Sequence, residues 1–225
     1  MSEKYIAVLL SGGLDSAVLL VSAAQSGPVA PIYVSVGFAW EAEERRMIER
    51  LLRSPALARY AIAPLASLTF DMRDVYPASH WAVRGEPPAF DTPDEDVYID
   101  GRNITLLSKA SIYMARHRIP RVLMGQLEGN PFPDASAEFF DAMARALSVG
   151  LGAPIEIEAP FTTKSKTDVI RLGVQLGVPL ELTLSCMQPS DGEHCGRCSK
   201  CRERRDAFLE AGVADPTPYR EKPIR

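Results

Sequence analysis

The feature that most constrains the fold is a buried apolar segment that ends in two glycines. Residues 5–10 read Tyr-Ile-Ala-Val-Leu-Leu, and residues 11–16 read Ser-Gly-Gly-Leu-Asp-Ser. An uninterrupted apolar run is typical of a strand that is covered on both faces of a parallel sheet. Because residues 15–25 then carry a helical pattern, the chain opens with a strand, a glycine turn and a helix, which is how an α/β fold begins.

The same alternation of strands and helices continues along the chain. It predicts an α/β fold with a doubly wound, Rossmann-like parallel sheet. A long, proline-rich and weakly periodic segment, residues 54–101, interrupts the pattern, and segments of this kind often act as lids or binding loops. The further strands are predicted at residues 31–36, 60–62, 121–125 and 155–157, and the further helices at residues 41–53, 103–117, 134–148 and 166–176.

Size and charge exclude several classes of protein. At about 150 residues per domain, 225 residues predict an α/β domain over residues 1–182 and a small, cysteine-rich and basic region over residues 183–225. The net charge of −4 excludes a chain-wide basic field for nucleic acid. No apolar run reaches the ~20 residues of a membrane span, and the opening run is too short for a signal peptide. We therefore expect a cytoplasmic protein with no membrane partner.

The loop at residues 11–16 has the composition of an anion-binding turn. Its two glycines allow unusual backbone angles and close approach, and successive amide groups at the start of a helix attract phosphate. Asp15 inside this loop suits Mg²⁺ beside bound phosphates. The phosphate loop of kinases and GTPases is excluded, because no lysine follows the glycines. The alternative interpretation is a tight turn in which Asp15 only caps the helix.

All four cysteines lie in one short segment, as Cys186, Cys195, Cys198 and Cys201. Four thiolates at this spacing in a reducing compartment are typical of a closed, structural zinc site. Two disulfides or an iron–sulfur cluster are the alternatives. The neighbouring basic side chains are expected to offset the negative charge of the centre or, alternatively, to touch RNA; they are Arg197, Lys200, Arg202, Arg204 and Arg205.

Two motifs resemble those of a known family. Residues 11–16 resemble the signature of the PP-loop ATP pyrophosphatases, which bind ATP, adenylate a substrate oxygen and release pyrophosphate. Leu-Thr-Leu-Ser-Cys at residues 182–186, with Cys-Gly-Arg-Cys-Ser-Lys-Cys at residues 195–201, narrows the resemblance to the 7-cyano-7-deazaguanine synthase (QueC/ExsB-like) family. Further agreement lies in Gly-Arg-Asn at residues 101–103 and in residues 165–173 and 211–216.

This resemblance implies a sheet of the adenine nucleotide alpha hydrolase type and an ATP-dependent carbon–nitrogen ligase. The family converts 7-carboxy-7-deazaguanine and ammonia to a nitrile, the precursor of queuosine, through an adenylated carboxylate and an amide, and it forms AMP and pyrophosphate. The resemblance also implies structural Zn²⁺, Mg²⁺ with ATP, and a homodimer without nucleic acid. It implies Asp15, Lys166 and Arg102 as catalytic residues, zinc held by the four cysteines, and ATP contacts from Leu10, Ser11, Gly12, Gly13, Leu14, Asp15, Ser16 and Asn103.

Some residues carry simpler alternatives. The alternative for Lys166 is a solvated position at the start of a helix. The alternative for Arg102 is a salt bridge at the surface, and the alternative for Asn103 is that it only caps its helix. Trp40, His80 and Trp81 are expected to pack or to stack on a ligand ring, whereas His117 and His194 are expected to be exposed.

The chain departs from the family pattern in two places. Residues 37–41, Gly-Phe-Ala-Trp-Glu, stand where the family has Tyr-Gly-Gln-Arg-His, and Ala135 and Ser136 stand where it has Cys-Arg. An arginine binds a carboxylate through two hydrogen bonds, which serine does not. The alternative functions are therefore a divergent PP-loop enzyme that adenylates a related carboxylate or an RNA base, for amidation or thiolation, and a non-catalytic nucleotide sensor.

Overall fold

Five parallel strands form the central sheet in the structure, a computed structural model that describes residues 5–222. The strands lie in the order β3-β2-β1-β4-β5, and every neighbouring pair runs in the same direction. This arrangement confirms the predicted α/β class. The strands are β1 Ile6–Leu9, β2 Val29–Ser35, β3 Ala66–Thr69, β4 Arg121–Leu123 and β5 Glu156–Glu158.

Helices cover both faces of this sheet. On one face α1 and α6 bury their apolar residues in one cluster, and α4 and α5 do the same in a second cluster on the other face. The doubly wound arrangement therefore has a separate apolar core on each side. The helices are α1 Leu14–Ala24, α2 Glu41–Leu52, α3 Trp81–Arg84, α4 Arg102–His117, α5 Ala137–Leu151, α6 Lys166–Leu176 and α7 Ser199–Ala211.

The strand order places a topological switch point at β1. This strand pairs with β2 on one side and with β4 on the other, so the chain leaves β1 toward one edge of the sheet and later returns to build the other. In open parallel sheets, ligands bind in the crevice beyond the carboxyl ends of the two strands at such a point. The loop at residues 11–16 follows β1 there, and the segment that begins with Met124 follows β4.

The sequence-based prediction was wrong about the third strand. Ile62 makes only an isolated bridge to Val29, and the edge strand is β3, a few residues later. Its residues are Ala-Ser-Leu-Thr, and they are alternately half-buried and exposed. An edge strand that is partly exposed needs no continuous apolar run, so the pattern that revealed β1 and β2 is missing.

One helix boundary and one whole helix also differ from the sequence-based prediction. The helix expected from residue 134 begins at Ala137, because Pro133–Ala135 form a separate turn of 3-10 helix and the Ser136 hydroxyl caps α5 by accepting from the amide of Phe139. Ser136 therefore has a structural role at the departure from the family pattern. Helix α7 was not predicted, since its residues show no clear apolar stripe of the kind that reveals α2.

Helix α7 joins the cysteine segment to the rest of the molecule. It begins directly after Cys198 and packs against α6 and the core around α1. The division of the chain at residue 182 stays a prediction, and residues 1–4 and 223–225 at its two ends lie outside the described residues. Within residues 5–222, no helix combines the length and the apolar character that a membrane crossing requires.

Candidate active site

The glycine loop after β1 is held in one conformation by tight packing. Gly12 has a φ of 77°, which favours glycine, and a Cβ there would lie 3.1 Å from Cγ1 of Ile48 and 3.2 Å from the carbonyl oxygen of Glu44. The carbonyl oxygen of Gly12 accepts a hydrogen bond of 2.8 Å from the amide of Leu184. The sequence therefore needs glycine at this position for both the backbone angle and the available space.

Short hydrogen bonds organise the polar groups of the loop. The hydroxyl of Ser16 donates to the carbonyl of Gly13 at 3.0 Å and lies 3.3 Å from the hydroxyl of Ser11. Gly13 is the N-cap of α1, so the positive end of that helix faces the cleft. Leu10 and Leu14 line the cleft as well, but both are almost fully buried and belong to the core.

Asp15 and Lys166, separated by 151 positions in sequence, meet in the cleft. The ammonium of Lys166 lies 2.5 Å from Oδ2 of Asp15 and 3.3 Å from Oε1 of Glu203, and Lys200 reaches the other oxygen of Glu203 at 2.6 Å. The resulting chain of charges joins α1, α6 and α7. The Lys166 side chain is only 20% exposed, so Lys166 is not merely a solvated helix start.

The charges of this chain stabilise one another. Burial lowers the pKa of Lys166, but the carboxylates of Asp15 and Glu203 outweigh burial and hold this pKa above its usual value. Burial likewise raises the pKa of Glu203, and the ammonium groups of Lys166 and Lys200 reverse that effect and lower it to about 2. Lys166 and Glu203 are therefore both charged at neutral pH. The second Asp15 oxygen, Oδ1, is buried and has no hydrogen-bond partner among the described residues.

Arg102 and Asn103 lie at the start of α4 and have different environments. The guanidinium of Arg102 stands 5.9 Å from the centre of the Phe38 ring, and its Nε is buried without a hydrogen-bond partner in residues 5–222. Asn103 does not cap its own helix, because Gly101 is the N-cap. Instead its side-chain amide donates to the carbonyl of Asp134 at 2.9 Å, and its backbone amide donates to the Asp134 carboxylate.

Two adjoining cavities open at the switch point. The larger has a volume of about 450 Å³, and Trp81, Val97 and Ile99 of the proline-rich segment line part of it. The smaller, of about 230 Å³, runs past Tyr33 and Val34 near the end of β2. Six residues belong to the walls of both cavities, which we call the shared wall: Gly13, Asp15, Glu44, Arg102, Gly125 and Gln126.

Glu44 is the member of the shared wall that the sequence analysis missed. It was assigned only to an amphipathic helix, yet its carboxylate is buried and accepts hydrogen bonds from the Tyr33 hydroxyl at 2.8 Å and from the indole of Trp40 at 3.1 Å. Burial raises the pKa of Glu44 to about 7, although Arg102 and the two hydrogen bonds oppose this rise. The sequence feature related to this role is the group of three acidic residues in the first turn of α2, namely Glu41, Glu43 and Glu44. The fold buries all three.

Trp40 packs as the sequence analysis expected and also lines the larger cavity. Its ring stacks on that of Trp81, with ring centres 5.5 Å apart and planes inclined by 14°, and Phe38 lies 5.3 Å away. His80 follows on the other side of Trp81, at 5.6 Å between ring centres. The segment that departs from the family pattern therefore contributes an aromatic wall to the cleft.

The four cysteines form a compact buried cluster. Their sulfur atoms all lie within 4.8 Å of one another, and within the described part of the chain all four are free thiols. The alternative of two disulfides is therefore wrong for this structure. Backbone amides of Gln188, Cys195 and Arg197 donate to the sulfurs at 3.2–3.3 Å, which favours thiolates. The donor set fits a metal ion bound by four thiolates.

Two residues beside this cluster are buried rather than exposed. His194 was expected at the surface, but it is 1% exposed and its Nε2 accepts from the amide of Ser185. Arg204 was expected to be a surface charge near the metal, but it is 2% exposed. Its guanidinium donates to the Leu180 carbonyl and the Thr183 hydroxyl, both at 2.9 Å, and thereby ties the chain around residue 182 to α7.

The fold and the site together define a nucleotide-binding α/β protein of the PP-loop class. The defining features are the parallel sheet, the glycine loop at its switch point, and the cleft with Asp15 and Lys166. The model of the family described as "Queuosine biosynthesis protein QueC" matches residues 5–212, and the chain belongs to this family. Both motifs on which the resemblance rested lie within the matched region. The family is one of enzymes that act on small molecules and use ATP.

Similar curated proteins support the same assignment over nearly the full chain. A 7-cyano-7-deazaguanine synthase of Thermoplasma volcanium is 34% identical, with 98% of this chain and 92% of the relative covered. Proteins of the same name from Anaeromyxobacter dehalogenans, at 34% identity with 94% of each chain covered, and from Methanothrix thermoacetophila, at 36% identity with 94% and 96% covered, are also similar. These relatives do not favour the alternative of an RNA-modifying enzyme.

Proposed function

We propose that the chain is a 7-cyano-7-deazaguanine synthase, a carbon–nitrogen ligase that consumes ATP and ammonia and releases AMP and pyrophosphate. The observation that carries this proposal is the shared wall, where the glycine loop, Asp15 and Arg102 stand between two cavities. A nucleotide in the smaller cavity and a carboxylate substrate in the larger one would meet at this wall. The family membership supports 7-carboxy-7-deazaguanine as that substrate.

The residues of the cleft suit ATP. The amides of the glycine loop and the start of α1 provide hydrogen-bond donors for phosphate oxygens. Lys166 and Arg102 add positive charge, and the unpartnered Arg102 Nε is a donor without a protein acceptor in the described structure. Asp15 would hold Mg²⁺ through Oδ1, the oxygen without a protein partner among residues 5–222, and the bound Mg²⁺ would neutralise part of the phosphate charge. Ser11, Ser16 and Asn103 would complete the nucleotide contacts.

The reaction needs positioning more than covalent help from the protein. A substrate carboxylate oxygen attacks the α-phosphorus of ATP, and pyrophosphate leaves. Ammonia then displaces AMP from the acyl carbon and gives the amide. A second ATP activates the amide oxygen, and departure of AMP with loss of the nitrogen-bound protons gives the nitrile. Walls that hold both reactants together and keep water out provide most of the rate enhancement for steps of this kind.

We propose zinc as the metal of the cysteine cluster. Four sulfurs at about 2.3 Å from one tetrahedral ion are about 3.8 Å apart. Two sulfur pairs of the cluster, Cys195 with Cys201 and Cys198 with Cys201, are separated by 3.8 and 3.5 Å. Such a site leaves no open ligand position for substrate, so the ion would be structural. The proposal includes a zinc-binding region of residues 183–225 that packs on a domain of residues 1–182. It also includes a cytoplasmic location and a homodimer.

The experiment that tests the proposed function measures the nitrile directly. The purified protein is incubated with ATP, Mg²⁺, ammonium and 7-carboxy-7-deazaguanine, and the products are identified by mass. We expect the mass of the nitrile together with AMP, and neither product when ATP is omitted. Samples without ammonium should accumulate no amide or nitrile. AMP formation that does not depend on the carboxylate, or nitrile that never appears, would show that the proposed substrate is wrong.

A further inference from the structure

We propose that Glu44 is the general base of the amidation and nitrile-forming steps, the group that accepts the protons lost by the substrate nitrogen. This inference rests on the proposed function and extends it. The ammonia-dependent steps release protons in a cleft that must exclude water, so a protein group has to receive them. The position of Glu44 makes it the acceptor.

Glu44 stands where the reacting atoms must meet. Glu44 belongs to the wall that both cavities share, and its carbonyl oxygen packs against Gly12 of the loop. The shared wall contains a second carboxylate, Asp15, but that group is bound by Lys166. The Glu44 carboxylate instead accepts from two neutral donors, Tyr33 and Trp40. Those bonds orient it and leave each oxygen a further lone pair.

Glu44 accepts each proton that the substrate nitrogen loses. When ammonia attacks the acyl carbon, the new C–N bond forms, the C–O bond to AMP breaks, and the nitrogen transfers a proton to Glu44. In the second half, adenylation of the amide oxygen releases one N–H proton to Glu44 and leaves a neutral O-adenyl imidate. After Glu44 has passed that proton to solvent, the imidate transfers its remaining N–H proton to Glu44. The electron pair of that N–H bond becomes the third C–N bond while the C–O bond to AMP breaks. Glu44 returns each proton to solvent before it accepts the next.

The groups around Glu44 tune it for this exchange. They are Tyr33 on β2, Trp40 and Glu41 at the start of α2, and Arg102 on α4. Burial raises the pKa of Glu44, Arg102 opposes that rise, and the net value is about 7. A base whose pKa lies near the working pH can both accept and release a proton, which is the condition for efficient general catalysis.

A neighbouring acid on the same helix has a different environment. Glu41 is equally buried on the same helix, and its carboxylate accepts from the Ser35 hydroxyl and from the amides of Val36 and Gly37. It thereby caps the end of β2 and lines neither cavity. Glu41 therefore provides a matched control, a buried carboxylate on the same helix that lines neither cavity and acts on Glu44 only through its charge.

The test separates adenylation from the ammonia step in Glu44→Gln. Carboxylate-dependent exchange of labelled pyrophosphate into ATP reports adenylation, and amide formation reports the attack by ammonia. We expect the ratio of amide formation to exchange to fall by about 10²-fold or more. Hydroxylamine, which is mostly unprotonated at neutral pH, should restore product as the hydroxamate. Glu41→Gln removes a charge that raises the pKa of Glu44 but keeps the base itself, so the ratio in this variant should fall by less than tenfold, even if less folded protein is recovered.

A second variant tests the base through its partner. In Tyr33→Phe the Glu44 carboxylate loses a hydrogen bond that favours its charged form, so its pKa rises. Glu44 then becomes protonated at a higher pH than in the unaltered protein. The acidic limb of the pH profile for amide formation should therefore shift to higher pH. An unchanged limb, an unchanged ratio in Glu44→Gln or no rescue by hydroxylamine would each overturn the role of Glu44. If the unaltered protein shows no carboxylate-dependent exchange, the proposed function fails and this inference with it.

Discussion

Asp15→Ala will abolish the formation of AMP and pyrophosphate while leaving the fold intact. Asp15 is the carboxylate of the glycine loop and lines the cleft, and its buried Oδ1 has no protein partner among the described residues. Removal of this group takes away the proposed Mg²⁺ ligand and the partner that orients Lys166. Loss of one preorganised electrostatic contact of this kind costs on the order of 10³-fold in rate. The measurement is AMP release under saturating ATP, ammonium and carboxylate.

The stability of Asp15→Ala should change little. Lys166 keeps Glu203 as its partner, and the side chains of Asp15 and Lys166 are each about one-fifth exposed, so solvent screens part of the lost pair. We expect a loss of no more than about 1 kcal/mol in the free energy of unfolding. Asp141→Ala, at an exposed acid on α5, is the matched control and should keep full activity. AMP release by Asp15→Ala within tenfold of the unaltered protein would refute this role.

Cys198→Ser will lose its metal and much of its stability. The unaltered protein should contain about one zinc ion per chain, bound by four buried thiolates. Cys198 is also the N-cap of α7, so loss of the ion releases the start of that helix. We expect the free energy of unfolding to fall by on the order of 4 kcal/mol, a size typical of a lost metal site. Metal analysis and denaturant titration measure the two effects.

The effect of Cys198→Ser on ATP chemistry should be smaller than its effect on stability. Cys198 lines neither cavity, and its links to the glycine loop are indirect. One runs through α7, from Glu203 to Lys166, and the other through the segment before Cys186, where the Leu184 amide donates to Gly12. Folded Cys198→Ser should therefore retain most of its pyrophosphate exchange. Arg197→Gln, whose side chain is 59% exposed between two of the cysteines, is the control and should keep its zinc. Iron, or no metal at all, in the unaltered protein would argue against the zinc site.

Local patterns explain what the sequence alone predicted. The apolar run of β1 and the glycines that follow it report burial and backbone geometry, which depend on adjacent residues. The four cysteines occur within sixteen positions, so their spacing is enough to indicate a common site. The resemblance to a family placed Asp15 and Lys166 in one site, but their ion pair was not predicted, because no local pattern joins residues on α1 and α6.

The remaining features depend on tertiary structure. Arg204 sits in a run of basic residues and looks like a surface charge, yet Leu180 and Thr183 surround it with acceptors. Glu44 follows the periodicity of a polar helix face, and only the packing of α2 beside the glycine loop turns it into the cleft. Strand β3 has the exposure of an edge, so its sequence lacks the apolar run on which strand prediction depends.

The measurement that tests the central claim most directly is a crystal structure with a non-hydrolysable ATP analogue. The claim is that main-chain amides of the loop at residues 11–16 hold the phosphates of the nucleotide at the shared wall. We predict phosphate oxygens at about 3 Å from amide nitrogens of this loop, with the adenosine in the smaller cavity beside Tyr33 and Val34. Clear density for phosphates away from Gly12 and Gly13 would contradict the account.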